Sequence, residues 1–531
     1  MSINLITSDW LPVVRSSGAT SLIAPHHITD QFKTDPILGL DFPRPDWNAA
    51  VTEWLIGILS VAAAPTSTEH WAAHWREPPS PERLQEAFVP IAFAFNLGGD
   101  GARCYQDLDP LVDAEETAIT QLLIEFPGEN TVKRNTDLFI KRRTLSLSPS
   151  EAAAALMTLQ TYAPGGGAGH RTSMRGGGPF TTLIAPRRSI AGLASPVTPL
   201  WDLVWANVLT RAAAHQDWSQ VFPWLAPTPT SEKGQVFTEE MAHPLHAFFG
   251  MPRRLRLRFD GAGHVTGYGT KPWGINYTGW SHPLSPYYKS PQGAWLPLHA
   301  RSGPPSWRDW PSLWALSPDE KAKRAGTVES FVATRRRHLP EESTHQTVLA
   351  AFGYDMDNMK ALRWVSFVAP WLPGLDADNG AEHARMMSAL IKGGEEGASA
   401  LRLAVRVAHY GVRDREGRYS VPDTVKRDGG IDPTPEFWAV TEAAFREAVQ
   451  GFADRAGDED HATRLTFLAA LKREARDLFT EYTDEESLAE GDPERTLQAL
   501  ALLHAAFTPW GKVATALGVG IAKPKDKKVR A

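Results

Sequence analysis

Glycine and arginine are combined in one segment in a pattern that suits contact with an anion. Residues 163–182 have the sequence APGGGAGHRTSMRGGGPFTT, which contains seven glycines and, between them, Arg171 and Arg175. Glycine adopts left-handed backbone angles easily and leaves its N–H groups accessible, because no Cβ blocks close approach. The segment therefore fits a polyanion or the floor of a groove. Composition alone leaves open a second interpretation, a flexible surface loop.

Two nucleotide-binding motifs do not fit this segment. A Walker A motif needs a Lys-Ser/Thr pair after its glycines to reach the outer phosphates and to hold magnesium, and no such pair follows. A Rossmann fingerprint needs a strand before the glycines, a helix that opens within them and an acidic residue about twenty residues later. Arg171 to Arg175 interrupts that pattern, and residues 182–186 (TLIAP) predict a strand.

Candidate catalytic and metal sites elsewhere in the chain are incomplete. Ser281, His282 and Ser285 lie close in sequence, but a catalytic triad also needs an orienting carboxylate and an oxyanion hole, so we interpret His282 as a structural turn residue. The acids of residues 352–361 (FGYDMDNMKA) fail the EF-hand pattern at its glycine. Cys104 is the single cysteine, which excludes an intrachain disulfide and a multi-cysteine zinc site. We predict no catalytic residue, no metal and no cofactor.

Length and composition indicate a globular protein of several domains. The chain has 531 residues, of which 42% are hydrophobic and 22% charged, and this length predicts about two to four domains. A formal net charge of -6 argues against a general DNA-binding surface, so any nucleic-acid contact must be local. We identify no secretion signal, and the apolar run at residues 54–65 is too short to span a bilayer. We expect a cytoplasmic protein with no membrane partner.

A basic segment precedes the glycine-rich one. Residues 132–143 (VKRNTDLFIKRR) combine positive charge with Phe139, which suits phosphate neutralisation together with base stacking. A solvated basic loop is the alternative on composition. Residues 148–159 then predict a helix with a serine cap and with Glu151 in its first turn.

Three later stretches predict strands and turns. Residues 254–259 (RLRLRF) alternate strictly, and we interpret their basic face as the charged outer face of a sheet. Residues 266–286 place Lys271 between glycines and prolines, which predicts a hairpin tip that carries this lysine. Residues 352–361 predict a second hairpin tip with an acidic and polar centre.

The composition changes beyond about residue 376, where alanine, leucine and paired charges predominate. Amphipathic stretches separated by prolines and Gly-Asp breaks predict an antiparallel four-helix bundle. These stretches are residues 379–411, 434–453, 461–483 and 493–517. We therefore predict an α+β protein with a large mixed α/β domain at residues 1–375, a four-helix bundle at 376–520 and a basic disordered tail at 521–531.

The glycine-rich segment resembles the glycine loop of the CasA family, the large subunits of type I-E CRISPR Cascade surveillance complexes. The shared order is Ala-Pro, glycines, Arg-x-x-x-Arg-Gly-Gly-x-Pro-x-Thr-Thr. The opening residues 4–13, the lysine stretch at 266–286, the hairpin at 352–361 and the helical C-terminal part resemble this family in the same order. The resemblance therefore extends over nearly the whole chain.

Membership of this family implies a non-catalytic subunit that recognises the protospacer-adjacent motif (PAM) of double-stranded DNA from the minor groove. The contacts that it implies are Gly165, Gly166, Gly167, Ala168, Gly169 and Lys271, with Thr270 in the place of the lysine in a gapless match. The hairpin would open the adjacent base pair to start R-loop formation. Its implied residues are Asp357, Asn358 and Met359, with Asn358 where the family often has glutamine and Met359 as an alternative apolar wedge.

The resemblance also implies partners. These are the guide RNA, the backbone, small and 5′-handle-binding subunits, the target DNA and a helicase-nuclease that is recruited later. The implied contacts with guide RNA and neighbouring subunits are Phe139, Lys141, Arg142 and Arg143. A different class of function remains open: the 19 tryptophans could form stacking platforms in a stand-alone enzyme that acts on a phosphorylated or carbohydrate ligand.

Overall fold

The computed structural model contains both helices and strands, which confirms the α+β class. It describes residues 3–126, 146–167, 169–190, 192–211, 217–301, 303–314, 321–357, 360–372, 380–453, 460–483 and 492–522. The chain forms two compact units. Unit 1 comprises Met1–Arg301 and Lys323–Trp371, and unit 2 comprises Ser302–Ala322 and Leu372–Ala531.

The α-helices, in chain order, are α1 (Pro45–Ala62), α2 (Thr68–Arg76), α3 (Pro81–Phe88), α4 (Pro149–Tyr162), α5 (Leu200–Ala206), α6 (Trp310–Leu313), α7 (Gly326–Ser330), α8 (Glu341–His345), α9 (Gly380–Tyr410), α10 (Asp423–Asp428), α11 (Thr434–Val440), α12 (Glu442–Ala453), α13 (Asp460–Tyr482), α14 (Pro493–Ala506) and α15 (Lys512–Ala516). The strands are β1 (Leu11–Arg15), β2 (Thr20–Ile23), β3 (Ile37–Leu40), β4 (Glu116–Ala118), β5 (Thr181–Ala185), β6 (Arg254–Phe259), β7 (Val265–Lys271), β8 (Tyr287–Lys289), β9 (Trp295–Pro297), β10 (Ala322–Lys323), β11 (Val348–Asp357), β12 (Lys360–Pro370), β13 (Val412–Arg413) and β14 (Tyr419–Ser420).

The core of unit 1 forms around α1. This helix begins with Pro45, whose missing N–H would have no partner in a first turn, and with Asp46, whose charge suits a helix N-terminus. Val51, Leu55 and Leu59 are completely buried. Helix α1 packs against α4 and α5, so it supports the segment that follows α4.

The glycine-rich segment follows directly after helix α4. Its N-terminus is a capping box, in which the Ser148 hydroxyl accepts the Glu151 N–H and the Glu151 carboxylate accepts the Ser148 N–H at 2.9 Å. The helix runs to Tyr162, one turn beyond the predicted stretch, and Tyr162 is completely buried. The glycine-rich segment therefore begins next to a residue that is held in the core.

Antiparallel sheets position the other elements of interest in unit 1. The orders are β2-β1-β3, β4-β7-β6 and β12-β11-β5, and β8 pairs with β9. Lys271 lies opposite Arg254 at the end of the β6–β7 pair, and Asp357 lies opposite Lys360 at the end of the β11–β12 pair. Strand β5 confirms the strand predicted just after the glycines.

Unit 2 is built around the long helix α9, which packs against α11, α12, α13, α14 and α15. The four predicted amphipathic stretches correspond to α9, to α11 with α12, to α13, and to α14 with α15. The second stretch is interrupted at Thr441, whose hydroxyl donates to the Phe437 carbonyl at 2.6 Å and accepts the Trp307 indole N–H at 3.1 Å. Trp307 is fully buried and stacks on Phe445 with 4.3 Å between ring centroids. Within the described ranges, no helix combines the length and the apolar character that a membrane span requires.

Candidate nucleic-acid interface

The glycine turn, residues 165–170, is closed by main-chain hydrogen bonds. The Gly166 N–H donates to the His170 carbonyl at 3.0 Å, and the His170 N–H donates to the Gly167 carbonyl at 3.2 Å. Gly167 and Gly169 have φ angles of 87° and 75°, which residues with a Cβ rarely adopt. The turn therefore has a defined shape that depends on glycine rather than on side-chain contacts.

The predicted contact residues in this turn differ in accessibility. Gly166 and Gly167 are exposed, Gly165 is half-buried and Gly169 is buried, while Ala168 lies outside the described residues. A Cβ on Gly167 would meet no atom within 4 Å, whereas a Cβ on Gly169 would lie 2.7 Å from the Trp273 nitrogen. Gly167 thus presents bare backbone to an incoming ligand, and Gly169 is needed for packing.

Lys271 lies beside the glycine turn, although not at a hairpin tip as predicted. The Trp273 N–H donates to the Gly169 carbonyl at 2.8 Å, which joins the glycine turn to the residues just after β7. Lys271 is the last residue of β7, and the turn that connects β6 to β7 lies at the other end, where the Asp260 N–H donates to the His264 carbonyl at 2.9 Å. Pairing ends after Lys271 because Pro272 has no N–H to donate.

Two acidic residues hold the Lys271 side chain in the free protein. The Lys271 ammonium lies 3.0 Å from the Asp113 carboxylate and 4.0 Å from that of Asp109. The hydrogen bond from Lys271 lowers the pKa of Asp113. Because the Asp113 side chain is 73% exposed, this pair adds little stability, and Lys271 can exchange the carboxylate for another acceptor. The Thr270 hydroxyl donates to the Arg254 carbonyl at 2.8 Å, so the geometry favours Lys271 over Thr270 as a contact residue.

The β11–β12 hairpin packs against the other end of the glycine-rich segment. A Cβ on Gly178 would lie 2.7 Å from the Tyr354 Cβ, and a Cβ on Gly353 would lie 2.5 Å from the Pro179 carbonyl oxygen. The two backbones can approach this closely only because both positions are glycine. Asp357 is exposed at the end of β11. The other two predicted wedge residues, Asn358 and Met359, lie outside the described residues.

Arg175 serves the fold and is closed to an external anion. Its guanidinium donates to the Glu53 carboxylate at 2.8 Å, to the Thr181 hydroxyl at 2.9 Å and to the Ser285 hydroxyl at 3.0 Å. The Arg175 side chain is only 3% exposed. Glu53 stands 122 residues earlier, inside the apolar helix α1. A lone glutamate in such a helix was the sequence signal for a buried cationic partner.

Arg171 is also engaged within the protein. Its Nε donates to the Ser231 hydroxyl at 2.8 Å, and its guanidinium lies 5.5 Å from the Trp273 ring centroid. The Ser231 hydroxyl in turn donates to the Gly274 carbonyl at 2.7 Å. The arginine therefore ties the glycine-rich segment to the residues after β7.

Arg253, which no sequence pattern indicated as a site residue, places a cation beside the glycine turn. It lines a cavity of about 310 Å³ together with Gly165, Gly166, His170 and other residues. Its guanidinium donates to the Pro164 carbonyl, while its buried Nε has no hydrogen-bond partner among the described residues. Burial lowers the pKa of Arg253 to about 10, and burial followed by the charge of Arg253 lowers the pKa of His170. The positive charge of Arg253 therefore lies next to the exposed glycine backbone.

The arginines of β6 are also internal, so their interpretation as a charged outer face is wrong. Arg254 pairs with the Asp107 carboxylate at 2.6 Å, and Arg256, which is 4% exposed, donates to the Asp107 carbonyl at 2.7 Å. Arg258 donates to the Leu111 carbonyl at 2.7 Å. The segment around Asp107 covers this face of the strand.

The features that suggested an enzyme have structural roles. His282 is buried, its Nδ1 accepts the Leu284 N–H at 3.2 Å, and burial together with Arg175 lowers its pKa well below the usual value. The Ser285 hydroxyl donates to the Phe180 carbonyl at 2.9 Å. Many tryptophans are fully buried and cannot stack on a ligand: Trp10, Trp54, Trp71, Trp75, Trp201, Trp205, Trp224, Trp307 and Trp314. Among the residues that the structure describes, no group of three His, Cys, Asp or Glu side chains could hold a metal ion.

The predicted RNA-contact residues, Phe139, Lys141, Arg142 and Arg143, lie outside the described ranges. Among the described residues, the candidate interface therefore comprises the glycine turn, the end of β7 with Lys271, Arg253 and the β11–β12 hairpin.

Comparisons with known proteins identify the family and the fold. The family model of CRISPR-associated protein Cse1 matches residues 4–478. No curated protein sequence matches the chain. CasA of Thermus thermophilus superimposes with a TM-score of 0.70 at 21% identity, over 98% of this chain and 100% of that one. For Cse1 of Acidimicrobium ferrooxidans the TM-score is 0.67 at 18% identity, over 98% and 99%.

A chain in the structure of a CRISPR RNA-guided surveillance complex also has this fold. Its TM-score is 0.64 at 16% identity, over 95% of this chain and 99% of that chain. At such identities the solved structures establish the fold alone. The family model matches most of the chain and therefore establishes the family. The chain therefore belongs to the Cse1 family of CRISPR-associated proteins, which includes CasA.

Proposed function

We propose that this protein is the non-catalytic large subunit of a type I-E Cascade complex that recognises the PAM in double-stranded DNA from the minor groove. It then opens the adjacent duplex to start R-loop formation and helps to recruit the helicase-nuclease. The observation that carries the proposal is the contact between three elements of unit 1. The exposed glycine turn is bonded to the residues after Lys271, and the β11–β12 hairpin packs against the end of the same glycine-rich segment.

These elements suit permissive recognition. The minor groove presents a degenerate pattern of donors and acceptors, so it distinguishes mainly A·T from G·C pairs. Bare backbone at Gly167 and a single lysine, Lys271, can follow the shape and charge of such a groove without demanding one sequence. Arg253, behind the glycine turn, adds positive potential that attracts the duplex. Several PAMs should therefore be accepted.

Opening of the duplex is assigned to the hairpin. Its proposed wedge residues are Asp357, Asn358 and Met359. Unstacking one base step costs a few kcal/mol, which contacts to the bent duplex and the growing RNA–DNA heteroduplex offset. Sequence is then tested by guide-RNA pairing rather than by this protein.

The remaining parts of the proposal concern assembly. A related fold is present in a CRISPR RNA-guided surveillance complex, which supports binding to guide RNA and to the backbone, small and 5′-handle-binding subunits in the cytoplasm. The proposed contacts are Phe139, Lys141, Arg142 and Arg143. Unit 2 is the proposed four-helix bundle, placed near the displaced strand and the small subunits. The protein itself cuts nothing.

The test compares duplex binding by the guide-RNA complex with and without this subunit, on targets that differ only in the PAM. The variants are Gly167→Asp, which places a carboxylate on the exposed turn, and Lys271→Ala. Gly18→Asp is the matched control, because Gly18 has φ 84° against 87° for Gly167 and a Cβ at either position meets no atom within 4 Å.

We expect the subunit to confer PAM-dependent binding, which Gly167→Asp and Lys271→Ala should abolish while Gly18→Asp retains it. Asn358→Ala should leave PAM binding intact and slow R-loop formation. Equal binding on every PAM by every variant would exclude the proposed function. Turnover of a phosphorylated or carbohydrate compound by the isolated chain would favour the enzyme instead.

A further inference from the structure

Three arginines lie on or beside β6: Arg103, Arg256 in the middle of the strand, and Arg258 towards the end that is distant from Lys271. Arg258 donates to the Leu111 carbonyl at 2.7 Å, and Arg256 donates to the Asp107 and Gly101 carbonyls at 2.7 Å each. The third, Arg103, donates to the Gly99 carbonyl at 2.7 Å and to the Leu257 carbonyl at 3.3 Å. Within the described ranges, none of these three arginines forms an ion pair with a carboxylate. Carbonyl dipoles orient the guanidinium groups, and the carboxylates of Asp100, Asp107 and Asp109 act on Arg103 and Arg256 only through longer-range attraction.

Burial and mutual repulsion act on two of these arginines. Burial, followed by the charge of Arg258, lowers the pKa of Arg103. Burial, followed by the charge of Arg103, lowers the pKa of Arg256 to about 10. In both cases burial and the neighbouring arginine outweigh the attraction of the nearby carboxylates, so like charges are held close together.

A pocket of about 400 Å³ opens onto this group. Arg103 and Arg258 line it, together with Gly98, Gly99, Leu257, Phe259, Asp260 and Gly263. The Nη2 atom of Arg103 and the Nε and Nη1 atoms of Arg258 form no hydrogen bond within the described chain, so donors remain for a ligand. The Asp260 carboxylate also lines the pocket; its Oδ1 accepts the N–H groups of Ala262 and His264 at 2.9 Å, and its Oδ2 lies 3.8 Å from the His264 Nδ1.

The pocket lies on the same face of the hairpin as Lys271. Residues directly opposite each other on antiparallel strands point to the same face, and Arg254 lies opposite Lys271 while Arg258 lies opposite Gly267. The four steps along the strand from Arg254 to Arg258 span about 13 Å. Duplex DNA carries one phosphate charge per about 1.7 Å of axis. The segment around Asp107 covers the face between Lys271 and the pocket, so a duplex that reaches Lys271 would pass over this segment and carries several phosphates over the distance to the pocket.

We propose that the pocket between Arg103 and Arg258 binds a phosphate of the target-DNA backbone and acts as a sequence-independent anchor. The anchor sets the register in which Lys271 and the glycine turn meet the groove. The remaining guanidinium donors suit a phosphate, since charged N–H groups form strong hydrogen bonds with its oxygens. This inference rests on the proposed function, because the occupant is duplex DNA.

The test is the salt dependence of duplex binding by the assembled guide-RNA complex, measured on a preferred and on a poor PAM. The double variant Arg103→Gln with Arg258→Gln is compared with Arg83→Gln, which removes one exposed charge from α3. Each lost phosphate contact should lower the slope of log affinity against log salt by about one and the affinity at 0.1 M salt by about tenfold. The preference for one PAM over the other should stay unchanged.

A second variant leaves the arginines and their carbonyl partners intact. Gly263→Asp adds a carboxylate to the pocket lining, and Gly18→Asp is its control because the φ angles are 88° and 84°. The proposal expects Gly263→Asp to weaken binding on both PAMs and Gly18→Asp to have no effect. The proposal would be overturned if the double arginine variant and Gly263→Asp both kept the wild-type slope of log affinity against log salt. Loss of complex assembly in the pocket variants would also overturn it, since the pocket would then hold guide RNA or a neighbouring subunit.

The two proposals can fail separately. A wild-type complex that binds all PAMs equally, while the pocket variants still lose affinity and salt slope, would refute PAM recognition and retain the anchor. If the wild-type complex had a strong PAM preference and the pocket variants bound DNA like the wild type, PAM recognition would be retained and the anchor refuted.

Discussion

The two halves of the glycine-rich segment both contain glycines but have opposite environments. In the glycine turn, Gly167 is exposed and a Cβ there would meet no atom within 4 Å. In the second half, residues 171–180, Gly178 is buried and a Cβ there would lie 2.7 Å from Tyr354. Main-chain hydrogen bonds close the first half, whereas Arg175 fixes the second half to Glu53.

This difference shows that glycine and arginine content does not identify a ligand-binding surface. Arginine between glycines suggested an anion site, yet Arg175 is neutralised by a carboxylate of α1. The half that remains accessible owes its positive potential to Arg253, which lies outside the segment. The following substitutions separate the two halves, beginning with the largest expected effect.

Arg175→Ala should destabilise unit 1 by about 3–5 kcal/mol, because it leaves the buried Glu53 carboxylate without its cation. The measurement is the free energy of unfolding in urea. Replacement of both partners, as Glu53→Leu with Arg175→Met, should be much less costly, since no buried charge then remains unpaired. Equal loss from the single and double replacements would show that the ion pair does not hold the second half in place.

Gly178→Ala should cost about 2–4 kcal/mol, because its φ of 64° strains any residue with a Cβ and that Cβ would overlap Tyr354. Gly167→Ala, with the same strain but open space around it, should cost about 1 kcal/mol. Thermal unfolding of the two variants measures the difference. If the two variants were equally stable, contact with β11 would not distinguish the halves.

Arg171→Ala should cost about 1–2 kcal/mol, from the lost hydrogen bond to Ser231 and the lost contact with the Trp273 ring. The effect is smaller than at Arg175, since Arg171 is only half-buried and leaves no carboxylate unpaired. Urea unfolding tests the ranking. Arg171→Lys should recover little, because an ammonium lacks the planar guanidinium that faces the indole.

The smallest expected effect is the pH dependence that His170 contributes. Burial and Arg253 lower its pKa below the ordinary value of 6.5, so the unfolded chain binds this proton more readily than the folded one. The contribution to stability is complete above pH 6.5 and is lost as the pH falls through the lowered value. His170→Asn should therefore reduce the loss of stability on acidification. An unchanged pH profile would contradict this.

Local sequence signals predicted the elements whose partners are near in the chain. The capping residues Ser148 and Glu151 predicted the start of α4, and β5 lies where the run of residues 182–186 indicated a strand. The acidic and polar hairpin of residues 352–361 is present as the end of β11 and the start of β12. In each case the residues that determine the structure lie within a few positions of one another.

Signals that depend on distant partners were misread. Lys271 was predicted at a hairpin tip, but the pairing of Arg254 with Lys271 extends β7 to that residue. The arginines of β6 were assigned to a solvent face, because nothing in RLRLRF shows that carbonyls near Asp107 would cover them. The segment that contains Trp307 belongs to unit 2 although it precedes the other helices of that unit by more than sixty residues. These outcomes follow from tertiary contacts, which periodicity does not encode.

The ion pair between Lys271 and Asp113 affects how long the protein stays on each DNA sequence while it searches a genome for its target. Under the proposed function, every sequence that the protein samples must compete with this internal carboxylate for the lysine. Because the pair is weak, it shortens the dwell time only slightly, and the effect is largest on a duplex of the wrong shape that makes few other contacts. Asp113→Asn would remove the competitor, lengthen stops at incorrect sites and slow the approach to the correct one.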